Sequence, residues 1–319
     1  MKNKICTILG TGFINRYIVR ILSKKNYRCF ISTRNAFTKG YLKTQATPGS
    51  IEFINWNPNN FDELEESIKN SDVVINLIGI LYETRKQKFM KIHRDIPDAI
   101  SKICAKSNVK KFISLSAIGA NQHSKSLYQR SKFQGELKAL TNFKNTVIIR
   151  PSVVCGTEDN FTNLFSKLSI LPVIPVVGGF KYKFQPILVT DVADAIVKAI
   201  EAKDNHGKIY EIGGPKIISF GDMVKSILRT INKKRFVVEM PMPLAKAQSA
   251  LMSMLPIPPV LTIDQCKILS EADNIVSNNH LTLEDLNIKP SDVEEAMIKW
   301  LVRFRDRGAF SLKKYNEKH

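Results

Sequence analysis

A tyrosine and a lysine stand four residues apart at Tyr128 and Lys132, in a segment whose pattern predicts a helix. Side chains at this spacing share one face of a helix. An ammonium group beside a phenol stabilises the phenolate and lowers the tyrosine pKa toward neutrality, which suits proton exchange with a carbonyl or hydroxyl. The pair predicts a catalytic acid/base, Tyr128, with Lys132 as its partner. Many helices contain such a pair without a catalytic role, so its position among the predicted strands and helices decides whether it indicates catalysis.

A glycine turn, Leu9-Gly10-Thr11-Gly12-Phe13-Ile14-Asn15, lies near the start of the chain. It follows an apolar, β-prone run and precedes a helix-patterned one. A turn without side chains lets backbone N–H groups and the positive end of a helix dipole approach a pyrophosphate. The order of strand, turn and helix therefore predicts a dinucleotide site, and the alternative is an ordinary turn.

The end of the second predicted strand carries Arg34, with Lys39 close behind. An NAD site normally offers an acidic side chain here to the ribose hydroxyls, whereas a phosphate on that ribose requires Arg or Lys. The position favours NADP(H) over NAD(H). The alternative is a solvated arginine in a loop.

The elements that would position these residues alternate along residues 1–150. The predicted strands are 4–9, 28–32, 51–54, 72–78, 111–116 and 146–150, and the predicted helices lie near 13–25, 61–70, 89–107 and 127–140. Repeated strand-helix-strand units with continuous apolar strands indicate a parallel sheet covered on both faces. We predict an α/β fold whose first domain is a doubly wound, Rossmann-type sheet.

A smaller, mostly helical lobe is predicted over 151–308, intertwined with the first domain. Its helices are expected near 191–202, 220–232, 243–254, 263–270 and 291–305. Residues 161–190 are rich in Pro, Gly and aromatics and are expected to be irregular. The basic tail, 309–319, is expected to be flexible.

The composition is that of a globular protein with a net charge of +19 and a pI of about 9.7. Such an excess attracts polyanions, but aromatics do not alternate with the basic residues, so nucleic acid is disfavoured. Five scattered cysteines suggest neither a disulfide framework nor a zinc site, and a reducing cytoplasm fits best. No apolar run reaches the length of a membrane span, so we expect a soluble or peripheral protein. The apolar helix pattern over 244–255 would meet anionic lipid or a membrane subunit, or else pack in a core.

The motifs taken together resemble the short-chain dehydrogenase/reductase superfamily in its extended and atypical branch. They are most similar to the NAD(P)H-binding accessory subunit family of respiratory complex I and its bacterial relatives. The matching segments are Gly12 to Tyr17, Asn76 to Glu83, Tyr128 to Lys132 with Gly135-Glu136, Arg150 to Val154, Gln185-Pro186, Asp191-Val192, Gly213 to Pro215 and Leu286 to Ile288.

The resemblance implies a bound NADP(H) and a role for each matched residue. Contacts to the pyrophosphate would come from Gly10, Thr11, Gly12, Phe13 and Ile14, and contacts to the ribose phosphate from Arg34 and Lys39. Leu77, Ile78 and Gly79 would cover the adenosine side, Tyr128 and Lys132 would hold the nicotinamide ribose, and Pro151, Ser152 and Val153 would lie beside the ring.

Two departures from the superfamily pattern matter, the first for cofactor binding, which we expect to be weaker, and the second for catalysis. The usual Gly-x-x-Gly-x-x-Gly turn has Leu9 and Asn15 at its outer positions, so we expect a looser turn. The serine or threonine that normally binds the substrate oxygen aligns with Ala117. Ser116, one residue away, would point to the opposite face of the strand.

Two functions follow from these expectations. The first is a non-catalytic or weakly catalytic NADP(H)-binding component that attaches to complex I or its assembly intermediates on the inner face of the membrane, or on the matrix side if the protein is organellar. The second is a working NAD(P)-dependent reductase, dehydrogenase or epimerase acting on a quinone-like ring or a sugar nucleotide, with Tyr128, Lys132 and Ser116 as its catalytic residues.

Overall fold

The computed structural model describes residues 4–57, 61–253, 259–306 and 308. The strands of these residues are β1 (Lys4–Leu9), β2 (Tyr27–Thr33), β3 (Ile51–Asn55), β4 (Val73–Asn76), β5 (Lys111–Leu115), β6 (Thr146–Pro151), β7 (Val154–Cys155), β8 (Val173–Val177), β9 (Lys183–Phe184), β10 (Ile187–Leu188), β11 (Ile209–Ile212), β12 (Ile218–Ser219) and β13 (Phe236–Met240). The α-helices are α1 (Phe13–Lys24), α2 (Asp62–Lys69), α3 (Ile96–Ala105), α4 (Leu127–Asn142), α5 (Asn160–Leu168), α6 (Val189–Glu201), α7 (Phe220–Thr230), α8 (Met242–Ser253), α9 (Ile263–Glu271), α10 (Val293–Ala296) and α11 (Ile298–Leu301).

A seven-stranded parallel sheet has the order β11-β6-β5-β4-β1-β2-β3. The strand order reverses beside β1, which pairs with β2 on one side and β4 on the other. Ligands of doubly wound sheets bind at such a switch point, at the carboxyl ends of the strands. The predicted Rossmann-type fold is confirmed, and the glycine turn leaves β1 at the switch point.

The central strands are buried because helices cover both faces of the sheet. Every residue of β4 and of β6 is buried, which explains their continuous apolar runs. Helix α1 packs against α6, and α3 packs against α2 and α4. The predicted strands and helices up to residue 150 are present with ends shifted by a few residues.

The chain divides into two compact units, and the first contains the sheet. It comprises residues up to Pro151 together with Val189–Ile212 and Ser277–Lys289. The predicted boundary after residue 150 had assigned both later segments to the second lobe. They belong with the sheet because β11 pairs with β6, and Leu281 exchanges backbone hydrogen bonds with Ile209 and Glu211 of β11.

The second unit contains Ser152–Leu188, Gly213–Val276 and the chain from Pro290 onward. Three two-stranded pairs, β7–β10, β9–β12 and β8–β13, accompany its helices. The expectation that 161–190 is irregular is wrong, because this stretch holds α5 and β8. Pro172 before β8 and Pro175 within it argued against a strand, but β8 tolerates Pro175 because it pairs with a single strand and so does not need every N–H.

One further difference concerns the carboxyl-terminal part of the chain. The helix predicted over 291–305 is divided into α10, α11 and a 3-10 turn at Val302–Phe304. The tail predicted over 309–319 lies outside the described residues.

Candidate functional site

The first glycine of the turn is required by backbone geometry. Gly10 has a φ of +102°, a conformation that side-chain-bearing residues rarely adopt. A Cβ built on it would lie 3.2 Å from the carbonyl carbon of Leu77 and 3.3 Å from the backbone nitrogen of Ile78. Gly10 therefore lets the turn after β1 pass close to the loop after β4.

Neither backbone geometry nor packing requires a glycine at the second position, Gly12. Gly12 has a φ of −67°, and no described atom outside its chain neighbours lies within 4 Å of a Cβ built on it. It is the N-cap of α1, whose first turn has neither a side-chain cap nor an acidic residue. Backbone N–H groups beside open space at a helix N-terminus fit a diphosphate.

Asn15 occupies the position where the third glycine of the pattern would stand. Its side chain is fully buried, and its Nδ2 donates a 2.7 Å hydrogen bond to the carbonyl oxygen of Gly10. The expectation that Asn15 loosens the turn is wrong, because this hydrogen bond holds the backbone of Gly10 in place. Its Oδ1 is buried without a hydrogen-bond partner among the described residues.

The remaining residues of the turn, Thr11, Phe13 and Ile14, are all half-buried, and two contacts hold a cation beside the turn. Tyr41 donates a 3.5 Å hydrogen bond from its hydroxyl to the carbonyl oxygen of Thr11, and the Arg16 guanidinium lies 4.7 Å from the centre of the Tyr41 ring. Arg16 is a cation beside the turn that sequence reasoning missed. Its place in the first turn of α1 was the available signal.

Arg34 follows the last residue of β2 and is exposed, while Lys39 lies in a 3-10 segment at Phe37–Gln45. The turn and the end of β2 are adjacent, since Gly10 donates its N–H to the carbonyl oxygen of Ser32 at 3.3 Å. Arg34 therefore stands at the sheet edge that carries the glycine turn. The Ser32 hydroxyl in the same region is buried without a partner among the described residues.

The loop after β4 forms the other side of the turn. Leu77 donates its N–H to the carbonyl oxygen of Leu9 at 2.8 Å, and Leu77 and Ile78 are half-buried. A Cβ on Gly79 would lie 3.4 Å from Nζ of Lys132 and 3.7 Å from Nε2 of His93. Gly79 thus links this loop to the helix that carries the tyrosine–lysine pair.

Helix α4 positions Tyr128 and Lys132 on one face, as predicted. Ser126 caps the helix by accepting a 3.2 Å hydrogen bond from the N–H of Gln129, which places Tyr128 in the first turn. Nζ of Lys132 lies 5.9 Å from the centre of the Tyr128 ring and donates to the carbonyl oxygen of Leu115 at 3.1 Å.

The expectation that Lys132 lowers the pKa of Tyr128 is wrong for this structure. Packing around the half-buried Tyr128 partly desolvates it and raises its pKa to about 12, whereas burial lowers the pKa of Lys132 to about 8 despite the opposing effect of Glu136. Desolvation disfavours the charged form of each group.

His93 is a site residue that sequence reasoning missed. It lies in a π-helical turn, Met90–Asp95, that runs into α3, and it is 2% exposed. Its Nε2 accepts the N–H of Ile80 at 3.0 Å, and its Nδ1 lies 2.9 Å from the Ser131 hydroxyl. The Ser131 hydroxyl in turn lies 2.7 Å from the carbonyl oxygen of Tyr128.

This arrangement determines the protonation of the imidazole. Because Nε2 accepts from a backbone N–H, a neutral His93 carries its proton on Nδ1 and donates to Ser131. Burial, with a smaller contribution from the nearby Lys132 charge, lowers the pKa of His93 to about 2. A lone histidine in an amphipathic run offered no signal for this role, but π-helical turns often occur at functional sites.

Ser116 lies just beyond the end of β5 and is buried. It lines a cavity of about 10 Å³ together with His93, Ser114, Lys132 and others, a volume that suits one water molecule. The prediction that Ser116 faces away from the pair relied on strand alternation, which ends at Leu115. Its hydroxyl has no hydrogen-bond partner among the described residues.

A buried ion network lies behind α4. Both carboxylate oxygens of Glu136 accept from Arg150, at 2.9 and 2.6 Å, and Arg150 also donates to Glu211 at 3.1 Å. Burial acts to lower the pKa of Arg150, but the two carboxylates outweigh it and raise that pKa. Matched motif residues Glu136 and Arg150 therefore hold α4 to the sheet.

The three residues predicted to lie beside the nicotinamide ring do not all belong to the same unit. Pro151 ends β6, whereas Ser152 and Val153 open the second unit. There the Ser152 hydroxyl bonds to Asn274 at 3.0 Å (backbone oxygen) and 2.6 Å (side-chain oxygen), and Val153 accepts from the N–H of Ile187 at 3.0 Å.

Features elsewhere in the described residues bear on metal and membrane chemistry. They contain no group of three or more His, Cys, Asp or Glu side chains arranged to hold a metal ion. No helix among them has the length and hydropathy of a membrane span. The predicted apolar helix is seen as α8, where Leu244 and Leu251 are exposed; residues 254–258 lie outside the described part.

A groove of about 510 Å³ in the sheet unit is lined by Arg94, Asp98, Gln122, Phe133, Lys138 and their neighbours. None of the predicted site residues lines it. The glycine turn and the tyrosine–lysine pair, which combine open backbone donors with buried titratable groups, remain the candidate site.

Comparison with known proteins gives matches over most of the chain. Residues 7–213 match the family described as the NAD dependent epimerase/dehydratase family. The NADH dehydrogenase [ubiquinone] 1 alpha subcomplex subunit 9 of Mus musculus is 31% identical over 94% of this chain and 80% of its own length. The protein of that name from Arabidopsis thaliana is 30% identical over 95% and 79%.

Solved structures show the same fold at lower identity. A UDP-N-acetylglucosamine 4-epimerase from Methanobrevibacter ruminantium superposes with a TM-score of 0.67 at 18% identity, covering 95% of this chain and 99% of that one.

Proposed function

Because this chain belongs to the NAD dependent epimerase/dehydratase family, we propose that it is an NADP(H)-binding accessory or assembly component of respiratory complex I with little or no turnover of its own. The observation that carries the proposal is the glycine turn at the switch point of the sheet. A Cβ on Gly12 would have no described atom within 4 Å outside its chain neighbours. Gly12 lies at the N-terminus of α1, where no side chain caps the helix.

The nucleotide would be held by residues on both sides of the turn. Gly10 to Ile14 would contact the diphosphate, and Arg34 and Lys39 the ribose phosphate, with Arg16 as a further cation. Leu77 to Gly79 would cover the adenosine side, and Tyr128 and Lys132 would hold the nicotinamide ribose. Pro151, Ser152 and Val153 would lie near the ring.

The preference for NADP(H) over NAD(H) is supported by charge. The chain after β2 carries Arg34 and Lys39 and has no acidic residue from Ser32 to Ile51. A carboxylate in this position would repel the ribose phosphate, whereas a guanidinium can bind it with two hydrogen bonds.

Low turnover is supported by the groups that would move protons. NADP(H) would supply a hydride when bound, but an acid/base works best with a pKa near the working pH, and that of Tyr128 is raised to about 12. Lys132 donates to the carbonyl oxygen of Leu115, and the resemblance to the superfamily aligns Ala117 with the substrate-binding hydroxyl. Missing an oxyanion donor of this kind costs on the order of 10²-fold in rate.

A structural role for the nucleotide follows from linkage. A ligand that binds only the folded chain stabilises it by about 2.7 kcal/mol at a concentration of 100 Kd. Attachment to complex I is supported by the two subunit 9 relatives, which match this chain over 94–95% of its length. We place the protein at the inner face of the cytoplasmic membrane, or on the matrix side if it is organellar.

The test combines affinity purification from native membranes with mass spectrometry of retained nucleotide and protein. We expect NADP(H) and complex I subunits at moderate salt, with loss of the nucleotide from Gly12→Val and not from Gly40→Val. A Cβ built on Gly40 also has no described atom within 4 Å, but this residue lies outside the turn. Purification without nucleotide or respiratory partners would overturn the proposal.

The same preparations test the alternative function. Steady oxidation of NADPH with a quinone or a sugar nucleotide, abolished by Tyr128→Phe, would show an active oxidoreductase or epimerase. We expect no such turnover in the purified chain.

A further inference from the structure

The second unit contains a two-stranded sheet with apolar side chains on both faces. In the β8–β13 ribbon, Phe236 is in register with Val173, and Val238 with Pro175. The intervening Ile174 and Val176 are fully buried in the core of this unit. The ribbon's inner face therefore packs in a core. On its outer face the third pair in register, Met240 with Val177, packs in a small cluster with Ala245 and Cys266, and the other four residues lie outside that cluster.

The outer face is exposed although it is apolar. Phe236 is 75% exposed, Val173 42% and Val238 41%. The turn before β8 extends the surface with Ile170, 82% exposed, and Leu171, 45% exposed. A sheet with one solvated face normally carries polar residues there, so this grouping indicates a binding surface. We call Ile170, Leu171, Val173, Pro175, Phe236 and Val238 the ribbon face.

Basic residues adjoin Ile170 and Phe236 in the sequence, at one end of the ribbon face. No acidic residue occurs from 160 to 190 or from 223 to 238, stretches that contain three and five basic residues. Lys167 lies three residues before Ile170 and Lys234 two residues before Phe236, and Arg235, next to Phe236, donates a 2.7 Å hydrogen bond to the carbonyl oxygen of Ser169, which ties this end together.

The acidic residues near the ribbon leave this end positive. Asp306 pairs with Lys233 at 2.6 Å, and Glu239 lies toward the opposite end of β13. Exposed aliphatic and aromatic side chains with basic flanks are the pattern of interfacial membrane anchors.

We propose that the ribbon face inserts into the interface of an anionic phospholipid bilayer, with Lys167 and Lys234 at the headgroups. The size of the surface favours lipid over protein, because a stable protein interface uses about 20–30 residues a side and the ribbon face has six. The net charge of +19 is complementary to an anionic leaflet. This surface deepens the peripheral membrane location of the proposed function and rests on it.

The test is co-sedimentation of the full chain with vesicles of phosphatidylcholine alone or with about 30% phosphatidylglycerol. We expect binding to the anionic vesicles that weakens as NaCl increases. The variant Ile170→Asn/Phe236→Asn should bind about tenfold or more weakly. The matched control Phe37→Asn/Ile217→Asn alters residues that are 96% and 55% exposed away from the ribbon face and should bind as the parent does.

A fluorescence measurement locates the inserted residue. Trp56 and Trp300, the two native tryptophans, are buried, so Phe236→Trp adds an exposed reporter. We expect its emission to shift to shorter wavelength with anionic vesicles and to be quenched by brominated lipid. Unchanged emission, or equal binding by the ribbon and control variants, would overturn the proposal.

The other occupants of this surface give different results. Concentration-dependent dimerisation lost in Ile170→Asn/Phe236→Asn, or loss of complex I subunits from that variant without vesicle binding by the parent, would assign the face to protein and overturn the lipid proposal. NADPH binding is measured on the same samples. If the chain binds NADPH but not vesicles, only the membrane-binding role of the ribbon face is rejected. If it does not bind NADPH, only the nucleotide-binding function is rejected.

Discussion

The side-chain amide of Asn15 donates a 2.7 Å hydrogen bond to the carbonyl oxygen of Gly10, so the residue that replaces a glycine also braces the turn. Asn15→Asp keeps the size of the side chain but removes the donor and directs a carboxylate at that oxygen. We expect a loss of about 1–3 kcal/mol in the free energy of unfolding and weaker NADPH binding. Urea denaturation and calorimetric titration measure the two effects.

Asn70 provides a matched control for this variant. Its amide also donates to a backbone carbonyl, that of Glu66 at 3.1 Å, but it is exposed. Asn70→Asp should change the free energy of unfolding by less than about 0.5 kcal/mol. Equal effects at the two positions would contradict the bracing role.

The two glycines of the turn should respond differently to alanine. At Gly10 the positive φ and the close backbone of Leu77 predict a loss of about 1–3 kcal/mol in stability. At Gly12 the methyl group meets no described protein atom, so stability should change by less than about 1 kcal/mol while NADPH affinity falls by about tenfold or more. Undiminished NADPH binding by Gly12→Ala would remove the main support for the site.

Arg34 should determine the choice between the two nucleotides. Replacing it in Arg34→Asp puts a carboxylate where the ribose phosphate would bind, so NADPH affinity should fall by about ten- to a hundredfold while NADH affinity holds or rises. Titration calorimetry with both nucleotides measures the ratio. Arg20→Asp, at an exposed position of α1, makes the same charge change and should leave the ratio unaltered.

The pKa of His93 predicts a dependence of stability on pH. It is lowered from an ordinary value of 6.5 to about 2, so below pH 6.5 the unfolded chain binds a proton that the folded chain does not. The free energy of unfolding should therefore fall with decreasing pH by about 1.4 kcal/mol per pH unit from this residue. Urea denaturation from about pH 7 to 5 measures the slope, which should be shallower in His93→Gln.

Nuclear magnetic resonance tests the same feature directly. The His93 nitrogens should show a neutral ring protonated at Nδ1, with shifts that do not move between about pH 8 and 5. A ring that titrates near its ordinary pKa of 6.5 would contradict the buried arrangement with Ile80 and Ser131.

Gly135 sets how closely α4 approaches the π-helical turn. A Cβ on it would lie 1.8 Å from the carbonyl oxygen of His93, so Gly135→Ala must push the two helices apart. We expect a loss of about 1–3 kcal/mol or more in stability, since overpacked cores relax poorly. Gly40→Ala, in open space, is the control, and similar melting temperatures for the two variants would contradict the close packing.

The order of strands and helices in the sheet was predictable because its signals are local. Apolar runs such as β4, bounded by turns, and amphipathic runs such as α1 have periods that a few residues display. The strands β8 and β13 were not predicted. Pro175 argued against a strand at β8 and is acceptable there only because β8 pairs with a single strand. Likewise, β11 could not be assigned to the sheet until its pairing with β6 was seen.

The sequence by itself determined the glycine turn, the shared helix face of Tyr128 and Lys132, and the basic residue after β2, because each depends on neighbours in the chain. Only the tertiary structure brought His93 and Gly79 to Lys132, gave Asn15 its bracing bond, and reversed the expected pKa shift of Tyr128. Desolvation depends on which distant segments exclude water from a group, and no local spacing records that.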